Sequence, residues 1–149
     1  MSEILFYHLE TQPLERVLPV LLERSLERGW HAVVETSSHE RAEALDAMLW
    51  TYRDDSFLPH GVVAGDATDP DQPVLIATDD GNANAAQVRF YVDRAVPQTG
   101  EGYTRIVYMF SGHDPDAVTE AREAWKALRE GNELTYWQQD DSGRWVKKA

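Results

Sequence analysis

Asp54, Asp55 and His60 lie within seven positions of one another. Two carboxylates beside an imidazole are the groups that general acid–base catalysis uses. The same residue types also occur as solvated loop charges and as a locally hydrogen-bonded histidine, and loops carry many such charges. The surrounding chain favours the second reading. There is no Gly-x-Ser-x-Gly elbow, because Ser56 sits between Asp55 and Phe57. The turn after the first apolar run is Glu10-Thr11-Gln12-Pro13, with no glycine to admit a pyrophosphate, and no Gly-x-x-x-x-Gly-Lys-Ser/Thr cradle exists. His8, His31, His39, His60 and His113 form no His-x-x-x-His pair or other metal-ligand spacing. Asp79-Asp80-Gly81-Asn82 holds only part of a calcium loop and reads as a turn. No catalytic residue, metal or cofactor is expected. A small α/β hydrolase or nucleotide-binding enzyme using Asp54, Asp55 and His60 stays open as the alternative.

Two other constellations have the character of partner surfaces. The first is the run from Trp50 to Gly61, where Trp50, Tyr52, Phe57, Pro59 and His60 fall close together. Aromatic side chains at a helix end are either core or interface anchors, since Trp and Tyr dominate interface hot spots. The second is the stretch Asp114–Glu130. Val118, Ala121, Trp125 and Leu128 recur at helical spacing as an apolar stripe, and Arg122, Lys126 and Arg129 form a basic stripe beside it. Such a stripe is either a solvated face, paired in part with Glu123 or Glu130, or a cationic site against an aromatic wall. The latter suits an acidic peptide with a free carboxylate, which arginine clamps through two hydrogen bonds.

The elements that must position these residues follow from periodicity. Glu3–Leu9 reads as a strand buried on both faces, and Leu14–Arg28 as a helix ended by Gly29, with Pro19 either kinking it or marking a later start. Trp30–Glu35 is a second strand. Ser38 caps a helix running to about Trp50, with Ala42, Leu45, Met48 and Leu49 inward. A connector rich in Gly, Asp and Pro spans Gly65–Pro73. Strands follow at Val74–Ala77, Gln87–Val92 and Arg105–Phe110. Asp114 caps the next helix, Pro115 takes its first position, and Gly131 stops it. The tail has a β-like run, Leu134–Trp137, and a frayed end. Helices alternating with short buried strands indicate an α/β fold. The expectation is a three-layer α/β/α arrangement with a mostly parallel mixed sheet, Rossmann-like but without a nucleotide-binding motif.

Composition excludes several partners. The chain has 149 residues, 42% hydrophobic and 27% charged, with no cysteine, as expected of one domain in a reducing cytoplasm. No apolar run approaches the roughly 20 residues that cross a bilayer. Met1–Tyr7 lacks the basic region of a signal peptide. The net charge is −12, and Glu40–Asp80 holds ten acidic residues against two basic ones. Phosphate binding needs clustered Lys and Arg, so little direct DNA binding and no membrane contact are expected.

The motifs Leu45-Asp46, Leu49-Trp50 and Ser56-Phe57-Leu58-Pro59-His60 resemble the chi subunit of the bacterial DNA polymerase III holoenzyme. So does Ala121-Arg122-Glu123-Ala124-Trp125-Lys126-Ala127-Leu128-Arg129. Phe6-Tyr7, Gly65 and Pro73-Val74 extend the likeness over most of residues 3 to about 137. The resemblance implies a non-catalytic replication accessory subunit of the clamp-loader assembly. It implies that Trp50 and Phe57, with Pro59 and His60 in the same run, dock a clamp-loader partner, psi or its equivalent. It also implies that Arg122 and Lys126 supply cations, and Trp125 and Leu134 apolar surface, for the acidic C-terminal tail of single-stranded DNA-binding protein, which ends in Pro-Phe. Arg129 would assist. The sequence departs from the family at Val118, where a basic residue can stand, and in its acidic connector Asp66–Asp71. Residues 138–149 form a poorly matched tail.

Overall fold

The computed structural model describes residues 3–52, 58–64, 67–99 and 102–149. Their elements run β1 (Glu3–Leu9), α1 (Leu14–Glu27), β2 (Ala32–Glu35), α2 (His39–Thr51), β3 (Gly61–Val62) and β4 (Val74–Ala77). Then come β5 (Val88–Tyr91), β6 (Arg105–Ser111), α3 (Pro115–Leu128), β7 (Glu133–Gln139) and β8 (Trp145–Lys147). The eight strands make one sheet in the order β3-β4-β2-β5-β6-β1-β7-β8. Every pairing is parallel except β7 with β8. Helices α1 and α2 cover one face and α3 the other, so the α/β expectation is met.

The two-faced burial of β1 explains its nearly continuous apolar sequence. Ile4 and Phe6 point into the core under α3, while Tyr7 and Leu9 point toward α1. Helix α1 begins at Leu14 and runs through Pro19 unbroken. Proline here removes only the bond that its N–H would make to the carbonyl four residues back, and Pro19 is itself buried. In α2, the Ser38 hydroxyl accepts from the Arg41 N–H at 3.2 Å, a cap worth about 1 kcal/mol. Ala42, Leu45 and Leu49 are buried and Met48 partly so.

Helix α3 is started by Asp114, whose carboxylate accepts from the N–H groups of Asp116 at 3.0 Å and Ala117 at 3.3 Å. After it, Gly131 takes φ +79°, a conformation that a side chain would strain. Its fully buried stripe is Ala117, Ala121, Ala124 and Leu128. The expected stripe included Val118 and Trp125, which are only partly buried at its flank. Small alanines let the helix settle close to the sheet, and this displaces the large Trp125 side chain toward β7.

Two strands were not anticipated. One is the short β3. The other is β8, which replaces the expected frayed end. Asp140 builds the hairpin turn, its Oδ1 accepting from the Ser142 N–H at 2.9 Å, the Ser142 hydroxyl at 2.7 Å and the Arg144 N–H at 2.9 Å. Gly143 supplies φ +84°. Trp145 then packs edge-to-face on Tyr7, with ring centroids 4.8 Å apart. Arg89 is 1% exposed in the middle of β5. It donates to Glu35 Oε1 at 2.6 Å, the Gly81 carbonyl at 2.7 Å and the Tyr103 hydroxyl at 2.9 Å, and also to the Asp79 carbonyl. It thereby pins the turn after β4 onto the sheet.

Candidate protein-interaction sites

The first site forms where α3 passes over β1 toward β7. The parallel register sets Phe6 beside Tyr136 and Ile4 beside Leu134. Period-2 alternation therefore turns Leu134 and Tyr136 to the α3 side of the sheet. Phe6 lies at the centre of an aromatic cluster. Its ring meets Tyr108 at 5.3 Å and Trp125 at 5.1 Å, both edge-to-face, and stacks on Tyr136 at 6.2 Å. Trp125 and Tyr136 are edge-to-face at 6.0 Å. Trp125, Leu134 and Tyr136 are each only partly buried, so this cluster presents an apolar floor beside the helix.

Arg122, Lys126 and Arg129 are exposed above that floor. Among the described residues, ion pairs engage Arg41, Arg89, Arg94 and Arg105 but none of these three cations. The alternative of pairing with Glu123 or Glu130 is not seen among the described residues, which leaves the charges available. Arg129 is the C-cap of α3, its N–H bonded to the Trp125 carbonyl at 3.1 Å. Burial pushes the Tyr136 hydroxyl above its usual pKa, and the Arg122 guanidinium pulls it the other way.

Of the five residues expected at the tail site, Trp125 and Leu134 share one apolar cluster, while Arg122, Lys126 and Arg129 are exposed at the same helix that carries Trp125. The structure adds Tyr136, which sequence reasoning left out. The available signal was its spacing of two from Leu134 on a strand. Beneath Tyr136, His8 Nδ1 lies 2.6 Å from the phenol oxygen and His8 Nε2 lies 2.7 Å from Glu10 Oε1. The latter contact is close but lacks hydrogen-bond alignment. This row resembles acid–base machinery, but His8 is buried within the fold. A Cβ on Gly112 would come within 2.1 Å of His8 Nε2. The row orients Tyr136 and ties β7 to β1.

The second site lies on the opposite flank of the sheet. Trp50, on the last turn of α2, is 52% exposed. Its ring sits 4.5 Å from that of His60. His60 is buried: Nδ1 is 2.7 Å from the Leu58 carbonyl, and Nε2 is 3.0 Å from Asp46 Oδ1. Pro59, beside it, is half-buried. His60 therefore orients the Trp50 platform, with Asp46 as its carboxylate partner. Phe57 and the two acids of the alternative cluster, Asp54 and Asp55, lie outside the described residues. Among the described residues, no group of three or more His, Asp or Glu side chains is placed to hold a metal ion. No helix among them is long and apolar enough to cross a membrane.

An α/β sheet with accessible cations beside an apolar floor on one flank, and an exposed tryptophan on the other, has the character of an adaptor. A family model described as DNA polymerase III chi subunit, HolC, matches residues 1–135. The chain belongs to that family, a non-catalytic accessory subunit of the polymerase III holoenzyme that serves DNA replication. No curated protein matches the chain.

Proposed function

We propose that this chain ties the polymerase III clamp loader to single-stranded DNA-binding protein by gripping that protein's acidic C-terminal tail between α3 and β7. One observation carries the reading. Arg122, Lys126 and Arg129 stand exposed and outside any ion pair among the described residues, directly beside the partly open floor of Trp125, Leu134 and Tyr136. A peptide ending in Pro-Phe needs both parts: a guanidinium for its terminal carboxylate and an apolar surface for its ring. The overall charge of −12 keeps the protein off phosphates, so contact with the strand would run through the protein that coats it. A single short tail binds with micromolar affinity, on the order of −8 kcal/mol, and several tails on one strand raise the effective affinity by tethering. The Trp50 platform, with His60 and Pro59, docks a clamp-loader subunit, psi or its equivalent.

The test is fluorescence anisotropy of a labelled tail peptide titrated with the protein, beside the same peptide lacking its final Phe. Micromolar binding that disappears with the Phe is expected. Absence of binding to the full peptide, or equal binding of both, would refute the tail site.

A further inference from the structure

The match to the chi family ends at Thr135, so β8 and most of β7 lie beyond it. This added hairpin borders the tail groove. The antiparallel register sets Gln138 beside Val146 and Trp137 beside Lys147. The Lys148 N–H continues the ladder by donating to the Tyr136 carbonyl at 2.8 Å, while the Tyr136 N–H donates to the Ala149 carbonyl at 3.2 Å. Directly opposed residues on paired strands share a face of the sheet. Two rows therefore cross the α3 face. One runs Tyr108, Phe6, Tyr136, Lys148; the other runs Phe110, His8, Gln138, Val146. Lys147, between them in sequence, belongs to the opposite face with Trp137, as does Trp145, which packs on Tyr7.

Helix α3 covers the inner end of these rows and leaves their outer end open. Tyr136 is partly buried, Val146 is 39% exposed, and Lys148 is exposed and outside every ion pair of the described residues. Tyr136 thus packs against Trp125 on the helix side and has Lys148 one strand away on the other. We propose that the β7–β8 hairpin forms the second bank of the acidic-peptide groove, with Lys148 supplying a cation and Val146 an apolar edge. The inference rests on the tail-binding reading above.

Lys147 and Lys148 make the test, because they are adjacent, equally charged and on opposite faces. Tail-peptide affinity is measured by anisotropy for the full chain and for Lys148→Glu, Lys148→Gln and Lys147→Glu, with thermal melts to verify folding. Lys148→Glu should weaken binding about threefold to tenfold, Lys148→Gln less, and Lys147→Glu by less than about twofold. Amide shift mapping on the unmodified protein should show the peptide perturbing Val146 and Lys148 together with Arg122. Equal effects of Lys147→Glu and Lys148→Glu would reduce the hairpin to bulk charge and overturn the proposal. So would normal binding by Lys148→Glu together with unperturbed β8 amides, while loss of binding on Arg122→Ala left the groove itself intact. No binding by the unmodified chain would overturn the tail reading and this proposal with it.

Discussion

Removing the Arg122 guanidinium should weaken tail-peptide binding while leaving the fold unchanged. The side chain is exposed and joins no ion pair among the described residues, so Arg122→Ala removes no folded-state partner and should alter stability by about 0.5 kcal/mol or less. In the proposed complex it would donate to a carboxylate, and a hydrogen bond to a charged group is worth about 1.5–3 kcal/mol. Solvent at this open site draws the value to about 1–2 kcal/mol, which is roughly a fivefold to thirtyfold rise in Kd. The loss should shrink as salt rises, because the screening length falls from about 10 Å at 0.1 M to about 3 Å at 1 M. The assay is peptide anisotropy at two ionic strengths, with a thermal melt as the folding control. A folded Arg122→Ala protein with Kd within about twofold of the parent at low salt would refute the assignment of the helix cations to the peptide.

Other consequences follow from the same structure. Trp50→Ala removes a side chain that is 52% exposed, so stability should fall by about 1 kcal/mol or less and tail affinity should not change, while clamp-loader pull-down is lost. A stability loss of several kcal/mol would make Trp50 a core residue instead. Arg89→Met keeps the volume but strands Glu35 and frees the 79–81 turn, at a cost of about 3–5 kcal/mol read from denaturant midpoints. An unchanged midpoint would contradict that role. Asp140 is held below its ordinary value of 3.8, chiefly by the Ser142 hydroxyl and then by the Arg144 N–H. Because its folded pKa is depressed, its support for the hairpin is complete above pH 3.8 and is lost as pH falls through the lower folded value. The near-UV signal of Trp145 against Tyr7 should follow that acid window, and Asp140→Asn should remove Asp140's contribution to the pH dependence. A signal lost already near pH 6, roughly two units above the carboxylate range, would rule it out.

Local chemistry determined the elements. Ser38 and Asp114 offer side-chain acceptors to helix N-termini, Pro115 cannot serve elsewhere in a helix as well as at its first position, and Gly131 accepts the φ that ends one. These signals act within four residues of each other, so they are readable along the chain. So was the spacing of Arg122, Trp125, Lys126 and Arg129, because a helix turns a short interval into one face. The two unexpected strands show the boundary. Val62 and Trp145 lie in stretches too short to display a period, and each becomes strand only when a neighbour completes its hydrogen bonds. Asp140 and Gly143 shape the hairpin turn, but Tyr7, far away in sequence, gives Trp145 its packing partner.

The site itself required the tertiary structure. Alternation tells that Leu134 and Tyr136 share a face, but not that the face belongs to α3. That follows from β7 pairing in parallel with β1, which sets Tyr136 beside Phe6 and under Trp125. Burial of Arg89 is likewise invisible locally, since its partners Glu35, Tyr103 and the Asp79–Gly81 turn come from three separate segments. The chain by itself settled the three helices, most of the strands and that one helix face is cationic, but not β3 or β8. Only the assembled sheet decided what lies beside those cations. Contacts between residues more than a hundred positions apart leave no periodic trace in the sequence, because their energy depends on strand order and register rather than on neighbouring residues.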